Sequence, residues 1–156
     1  MTNIPRPQMQ IVHIEDDRPL RDILKMSFMA VDSSINMQQF ASGDDALPYI
    51  MQNKHTIDLF ILDLRLPGSM DGLEIAQMLR KEQCPGSIVL TSAFPTLNPE
   101  LLQSLKIEFL PKPWHIIEIT PRLLQYRLDS TARFRHESAP SGLAFSQGDA
   151  QSLNFA

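Results

Sequence analysis

The sequence predicts a doubly wound α/β fold, one five-stranded parallel sheet with helices on both faces. Five short apolar runs alternate with five helical stripes over about 120 residues, the rhythm of repeated βα units. The central run, Leu59-Phe60-Ile61-Leu62, is apolar throughout, as a strand covered on both faces requires. It ends abruptly in Asp63, ahead of a Pro67-Gly68 turn signal. Open α/β folds build their sites at such carboxyl ends of strands. A carboxylate there has no packing role, and burying it unpaired is costly. Asp63 therefore needs a cation or a reaction.

Taken in order, residues 1–9 carry Pro5 and Pro7 and read as a flexible lead-in. Gln10-Ile11-Val12-His13-Ile14 is the first strand, and it stops at Glu15-Asp16-Asp17. Pro19 suits the first turn of the next helix, and Asp17 suits its positive end. Leu20, Ile23, Leu24, Ser27 and Phe28 trace one helical face to Ala30. After the Asp32-Ser33-Ser34 turn, Ile35–Phe40 is the second strand. Ser42-Gly43-Asp44 opens a helix through Ala46, Leu47, Ile50 and Met51, with Pro48 still in its first turn.

The Asp63 strand is third. Leu73, Ile75, Ala76, Met78 and Leu79 then mark a helix that Cys84-Pro85-Gly86 ends. Ser87-Ile88-Val89-Leu90 is the fourth strand, running into Thr91-Ser92-Ala93. Leu97, Leu101, Leu102 and Leu105 stripe a fourth helix, shortened by Pro95 and Pro99. Ile107-Glu108-Phe109-Leu110 is the fifth strand, closed by Pro111-Lys112-Pro113. Ile116, Ile119, Leu123, Leu124 and Leu128 indicate a last helix, with Pro121 as a kink or a late start. Residues 10–129 thus form one domain with the flavodoxin-like strand order 2-1-3-4-5. Residues 130–156 are poor in apolar side chains and read as a disordered or loosely docked tail.

Composition narrows the function. A net charge of −4 gives no basic patch with which to grip nucleic acid. No apolar run approaches the roughly 20 residues of a membrane span, and no signal-peptide pattern opens the chain. The single Cys84 excludes an internal disulfide and a cysteine zinc cage, and ahead of Pro85-Gly86 it reads as passive. These features suit a cytoplasmic protein.

With that strand order, the tips of strands 1, 3, 4 and 5 meet beside the switch point. They bring together Glu15, Asp16, Asp63, Thr91 and Lys112. Three neighbouring carboxylates repel unless a cation lies among them. A few partly solvated oxygen ligands favour Mg²⁺ over Ca²⁺. Lys112 and the Thr91 hydroxyl add a positive charge and a donor for a tetrahedral anion. That set describes phosphoryl transfer onto Asp63, with in-line attack and cations neutralising the equatorial oxygens.

At this point the sequence resembles the receiver domains of two-component response regulators, over roughly residues 9–129. The motifs are Ile14-Glu15-Asp16-Asp17, Leu62-Asp63-Leu64-Arg65-Leu66-Pro67, Asp71-Gly72, Leu90-Thr91-Ser92-Ala93 and Phe109-Leu110-Pro111-Lys112-Pro113. The resemblance implies that Asp63 accepts a phosphoryl group from a phosphohistidine on a sensor histidine kinase or histidine phosphotransfer protein. It implies Mg²⁺ bound by Asp16, Asp63 and the Arg65 carbonyl, with Glu15 acting mostly through water. Thr91 and Phe109 resemble the family's switch pair, and Ser92 its small residue beside the phosphoryl group. Three departures stand out: the loop Pro67–Asp71 is one residue longer than the commonest form, Trp114 stands where Phe is commoner, and the usual Ala-Gly before the last strand is missing. With no output domain after residue 130, the chain resembles a stand-alone receiver.

Several residues carry plainer readings. Asp17 suits a helix cap better than a metal. His13 reads as a satisfied core or edge residue, and Trp114 as a helix-start staple. Phe109 fits a core ring and a switch ring equally. Among functions, a phospho-switch that changes a protein-binding face for a downstream protein target comes first. A phosphorelay shuttle to another histidine uses the same site, and a phosphorylation-independent docking module would not need the intact acids. A phosphatase of the haloacid-dehalogenase type needs a second acid two residues past the nucleophile, where Arg65 stands. A flavin carrier needs a phosphate loop after strand one, where acids stand instead.

Overall fold

The computed structural model describes residues 7–94 and 97–126. Most of the lead-in, Pro95, Leu128 and the tail from 130 lie outside the described residues. The chain runs β1 (Gln10–Ile14), α1 (Arg18–Val31), β2 (Asn36–Phe40), α2 (Gly43–Asn53), β3 (Leu59–Asp63) and α3 (Gly72–Lys81). It continues through β4 (Ser87–Ser92), α4 (Pro99–Ser104), β5 (Ile107–Pro111) and α5 (Ile116–Leu123), then a 3₁₀ turn at Leu124–Tyr126. The strands form one sheet in the order β2-β1-β3-β4-β5, and every pairing is parallel.

Alternation along the strands divides the core in two. Val12, Ile14, Phe60, Leu62, Ile88 and Leu90 face α2 and α3, packing on Ala46, Ile50, Ile75 and Leu79. Ile11, Leu59, Ile61 and Val89 face α1 and α5, packing on Leu24, Phe28, Ile119 and Leu123. All five residues of β3 are buried, as its unbroken apolar run requires.

Caps explain where the helices start. Asp17 accepts from the Leu20 amide at 3.1 Å, so it serves as the cap of α1. Ser42 caps α2, and Asp71 with Glu74 forms a reciprocal capping box on α3. Four expectations need correction. Pro48 lies inside α2, beyond the first turn, because the helix already begins at Gly43. Pro121 neither delays nor starts α5, which begins at Ile116 behind the cap residue His115. The third helix stops at Lys81, ahead of Cys84, because Gln83 turns left-handed at φ 56° and Cys84 N–H closes back on the Leu79 carbonyl. The fourth helix keeps only six residues, leaving Leu97 and Leu105 outside it.

Candidate functional site

Parallel strands put all their carboxyl ends on one edge, and backbone bonds carry the sheet just past them. Leu64 N–H donates to the Thr91 carbonyl at 2.8 Å, and Lys112 N–H to the Ser92 carbonyl at 2.9 Å. Asp63 and Thr91 are direct partners in the β3–β4 register. These constraints deliver Lys112 beside the acids that follow β1. Its Nζ lies 2.6 Å from Glu15 Oε2 and 3.4 Å from Asp63 Oδ1. One carboxylate oxygen each from Glu15, Asp16 and Asp63 lies within 4.8 Å of the other two.

Burial sets the electrostatics. Glu15 is 1% exposed and Asp63 is 6% exposed, whereas Asp16 faces solvent. Burial pushes the Asp63 carboxyl above the usual range, the Lys112 ammonium and the Arg65 backbone amide pull it back, and Asp16 adds repulsion. Burial likewise raises Glu15 against the pull of its Lys112 bond. His13 on β1 is held neutral, its pKa lowered to about 3 by burial and by the charges of Lys112 and Arg21. It therefore offers the acids no positive charge. It is also not fully satisfied: Gln39 meets Nδ1 at 3.0 Å, while Nε2 has no partner among the described residues.

These shifts have a measurable sign. A raised folded-state pKa means that the folded protein binds the proton more readily than the unfolded chain. The stabilisation is therefore complete below the ordinary carboxylate range and is lost as pH rises through the raised values. In metal-free buffer, the Tm of the wild type relative to Asp63→Asn is expected to climb as pH falls from neutral toward that range. A constant difference across the range would count against the burial of this charge.

The donor set fits a hard dication. Three carboxylates meet, two of them buried, and one ammonium cannot neutralise all three. The Thr91 hydroxyl is 1% exposed, and its oxygen has no partner among the described residues. An orphaned buried hydroxyl on the strand position paired with Asp63 fits an incoming oxyanion. The Ser92 oxygen accepts from the Phe94 amide at 3.1 Å, tightening the turn after β4. Phe109 pairs with Leu90, one position before Thr91, and packs half-buried on the α2–α3 side of the sheet. Trp114 directly precedes the cap of α5 and shares an apolar cluster with Ile119, and Lys112 Nζ lies 5.5 Å from its ring centroid. Cys84 is buried, and burial raises its thiol, so it is a poor nucleophile.

Some contributors carried no local sequence signal. Arg21 donates to the Glu15 carbonyl at 2.5 Å and the Asp16 carbonyl at 3.1 Å, fixing the acidic turn from α1. The Arg65 guanidinium stacks 4.4 Å from the Phe94 ring centroid. Asp44 accepts from both the amide and the hydroxyl of Ser69 in the loop after β3. Gly72 was visible in the Asp71-Gly72 pair, and the structure gives its reason: a Cβ there would lie 2.1 Å from the Asp63 carbonyl oxygen.

Comparison with known proteins identifies the family and the fold. The family model of the response regulator receiver domain matches residues 11–124. The chain is 28% identical over 134 residues to the cyclic di-GMP phosphodiesterase response regulator RpfG of Xanthomonas campestris pv. campestris, covering 83% of this chain and 33% of that protein. It is 30% identical over 115 residues to the response regulator ArlR of Staphylococcus aureus, covering 73% and 50%. The chain thus spans half or less of the length of these curated relatives. A CheY-like response regulator receiver domain protein from Methanospirillum hungatei superposes with a TM-score of 0.66 at 15% identity, covering 85% of this chain and 99% of that one. Among the described residues, no helix is long and apolar enough to cross a membrane.

Proposed function

The chain belongs to the response regulator receiver domain family, and from that premise we propose that Asp63 accepts a phosphoryl group from a phosphohistidine and thereby switches a protein-binding face. An Asp63 oxygen attacks phosphorus in line; the P–N bond breaks, and the histidine nitrogen leaves with the electron pair and takes a proton from solvent. Asp16, Asp63 and the Arg65 carbonyl would hold Mg²⁺, with Glu15 acting mostly through water, and the ion would supply charge neutralisation for the transferring group. Lys112 leaves its bond to Glu15 for the phosphoryl oxygens, and the Thr91 hydroxyl donates to one of them. Ser92 leaves room beside that group. The observation that carries this reading is the orphaned, buried Thr91 hydroxyl on the residue paired in register with Asp63, whose carboxylate lies 3.4 Å from Lys112.

Once Thr91 is drawn toward the phosphoryl group, the half-buried Phe109 ring can turn inward, changing the face made by α4, β5 and α5. Ile117 on that side is 90% exposed, which suits a downstream protein partner. The phosphohistidine donor, on a sensor kinase or phosphotransfer protein, has an apolar cleft of about 400 Å³ to meet beside Lys112, lined by Leu20, Ile23, Pro113, Trp114 and Ile116.

The test is incubation with Mg²⁺ and a small phosphodonor such as acetyl phosphate, followed by intact mass. One phosphoryl group per chain is expected, and only with the metal present. Mg²⁺ alone is expected to change Trp114 fluorescence, since this only tryptophan lies against Lys112. No mass gain together with unchanged emission would rule the reading out.

A further inference from the structure

The loop from Leu64 to Gly72 leaves β3 directly after Asp63 and returns over it. Its ends are fixed to the sheet and to each other, Leu64 N–H by the Thr91 carbonyl and Gly72 N–H by the Leu64 carbonyl at 3.0 Å. Its middle packs on the core through Leu66 and Met70 but has few polar ties. Among the described residues, Leu66 to Met70 make no hydrogen bonds except the two that Ser69 donates to Asp44. The Ser69 amide meets Asp44 Oδ2 at 2.9 Å, and its hydroxyl meets Oδ1.

Asp44 is a stiff anchor. It lies in the first turn of α2, where an acid is favoured by the helix end, and Ala46 and Ile50 of the same helix are fully buried. Gly68 makes room for the contact. Its φ of 95° is one that side-chain-bearing residues rarely adopt, and a Cβ would lie 2.2 Å from Asp44 Oδ2. On the other side of the loop, the Arg65 guanidinium rests on the Phe94 ring, and Leu64, between Asp63 and Arg65, is bonded to the Thr91 carbonyl. Displacement of the loop therefore pulls on backbone that continues directly from Asp63.

We propose that Asp44 is a positioning residue for the Asp63 site: through Ser69 it holds in place the loop that carries Arg65, two residues past Asp63. This rests on the proposed function, and it adds a role for a residue that touches neither phosphoryl group nor metal. A loop with an extra residue has more conformations to lose, and a side-chain clamp from a packed helix removes them in advance.

The experiment compares full-length wild type with Asp44→Ala, Asp44→Asn and Ser69→Ala. Asp44→Ala is expected to expose the Ser69 amide to solvent exchange. It should also raise the Mg²⁺ concentration for half of the Trp114 fluorescence change by about fivefold, the equivalent of one net hydrogen bond. The phosphorylation rate at saturating Mg²⁺ should be unchanged. Asp44→Asn keeps an acceptor and is expected to restore wild-type values. Ser69→Ala keeps the amide bond to Asp44 and should be the milder single change, and combined with Asp44→Ala it should add nothing, because the hydroxyl's partner is already gone.

Wild-type Mg²⁺ dependence in Asp44→Ala would overturn the proposal. So would an Asn variant as impaired as Ala, which would assign the effect to charge. A Tm that falls in step with metal affinity would also overturn it, in favour of general structure. If wild type takes no phosphoryl group, the proposed function fails on its own. Amide exchange and metal titration still decide the clamp.

Discussion

Asp63→Asn is expected to take no phosphoryl group at any Mg²⁺ concentration, while folding as wild type does. An amide has no anionic oxygen to attack phosphorus, and none of the other groups at this edge can replace it. Glu15 is bonded to Lys112 at 2.6 Å and buried, and Asp16 projects from the turn after β1 rather than from the centre of the sheet. The register argues the same point: Asp63 alone of the three acids sits opposite Thr91, whose hydroxyl awaits an acceptor. Removing the negative charge also removes a buried, repelled carboxylate, so the variant should not melt below wild type at neutral pH. Intact mass and a thermal melt on one sample read both outcomes. An equal mass gain in the variant would move the chemistry to another residue.

Gly72→Ala is expected to damage fold and site together, by about 3 kcal/mol in chemical denaturation, at the upper end for overpacking. The added carbon would lie 2.1 Å from the Asp63 carbonyl oxygen, 2.8 Å from its carbon and 3.0 Å from the Leu64 Cα. All three are backbone atoms of the strand end, so no side chain can swing aside. Either α3 retreats or the Asp63 peptide moves. The first breaks the Gly72–Leu64 bond that closes the loop, and the second misplaces the nucleophile. Phosphorylation should fall well beyond what the remaining folded fraction explains. Wild-type stability and rate in this variant would contradict the packing described.

Much of this was legible in the sequence because the signals are local. The all-apolar β3 run, the acids ending β1 and the Thr and Lys ending β4 and β5 each announce a strand tip by themselves. Parallel pairing then leaves them one edge on which to meet. Asp17 was readable as a cap for the same reason, since its partner lies three residues away. Pro48 and Pro121 misled because a proline argues for a helix boundary on local grounds. Here the apolar faces, with Ala46 and Ile50 on α2 and Ile119 and Leu123 on α5, kept each helix running through it. Arg21 escaped notice because its bonds go to backbone carbonyls, which no side-chain pattern announces, and Asp44 and Phe94 because their roles depend on long-range approach. Ser69 is 25 residues from Asp44, and nothing in either neighbourhood names the other.

The brevity of α4 has a consequence for signalling. None of its six residues is buried, while both strands flanking it contribute to the sheet's interior. Only Leu102 of the helix packs, partly buried, on the core, so among the described helices this one can unfasten with little disturbance of the interior. Reshaping it draws little on the stability of the whole. On the proposed switch reading, a message from Asp63 would meet little resistance there, and a binding partner would capture the rearranged surface at small energetic cost.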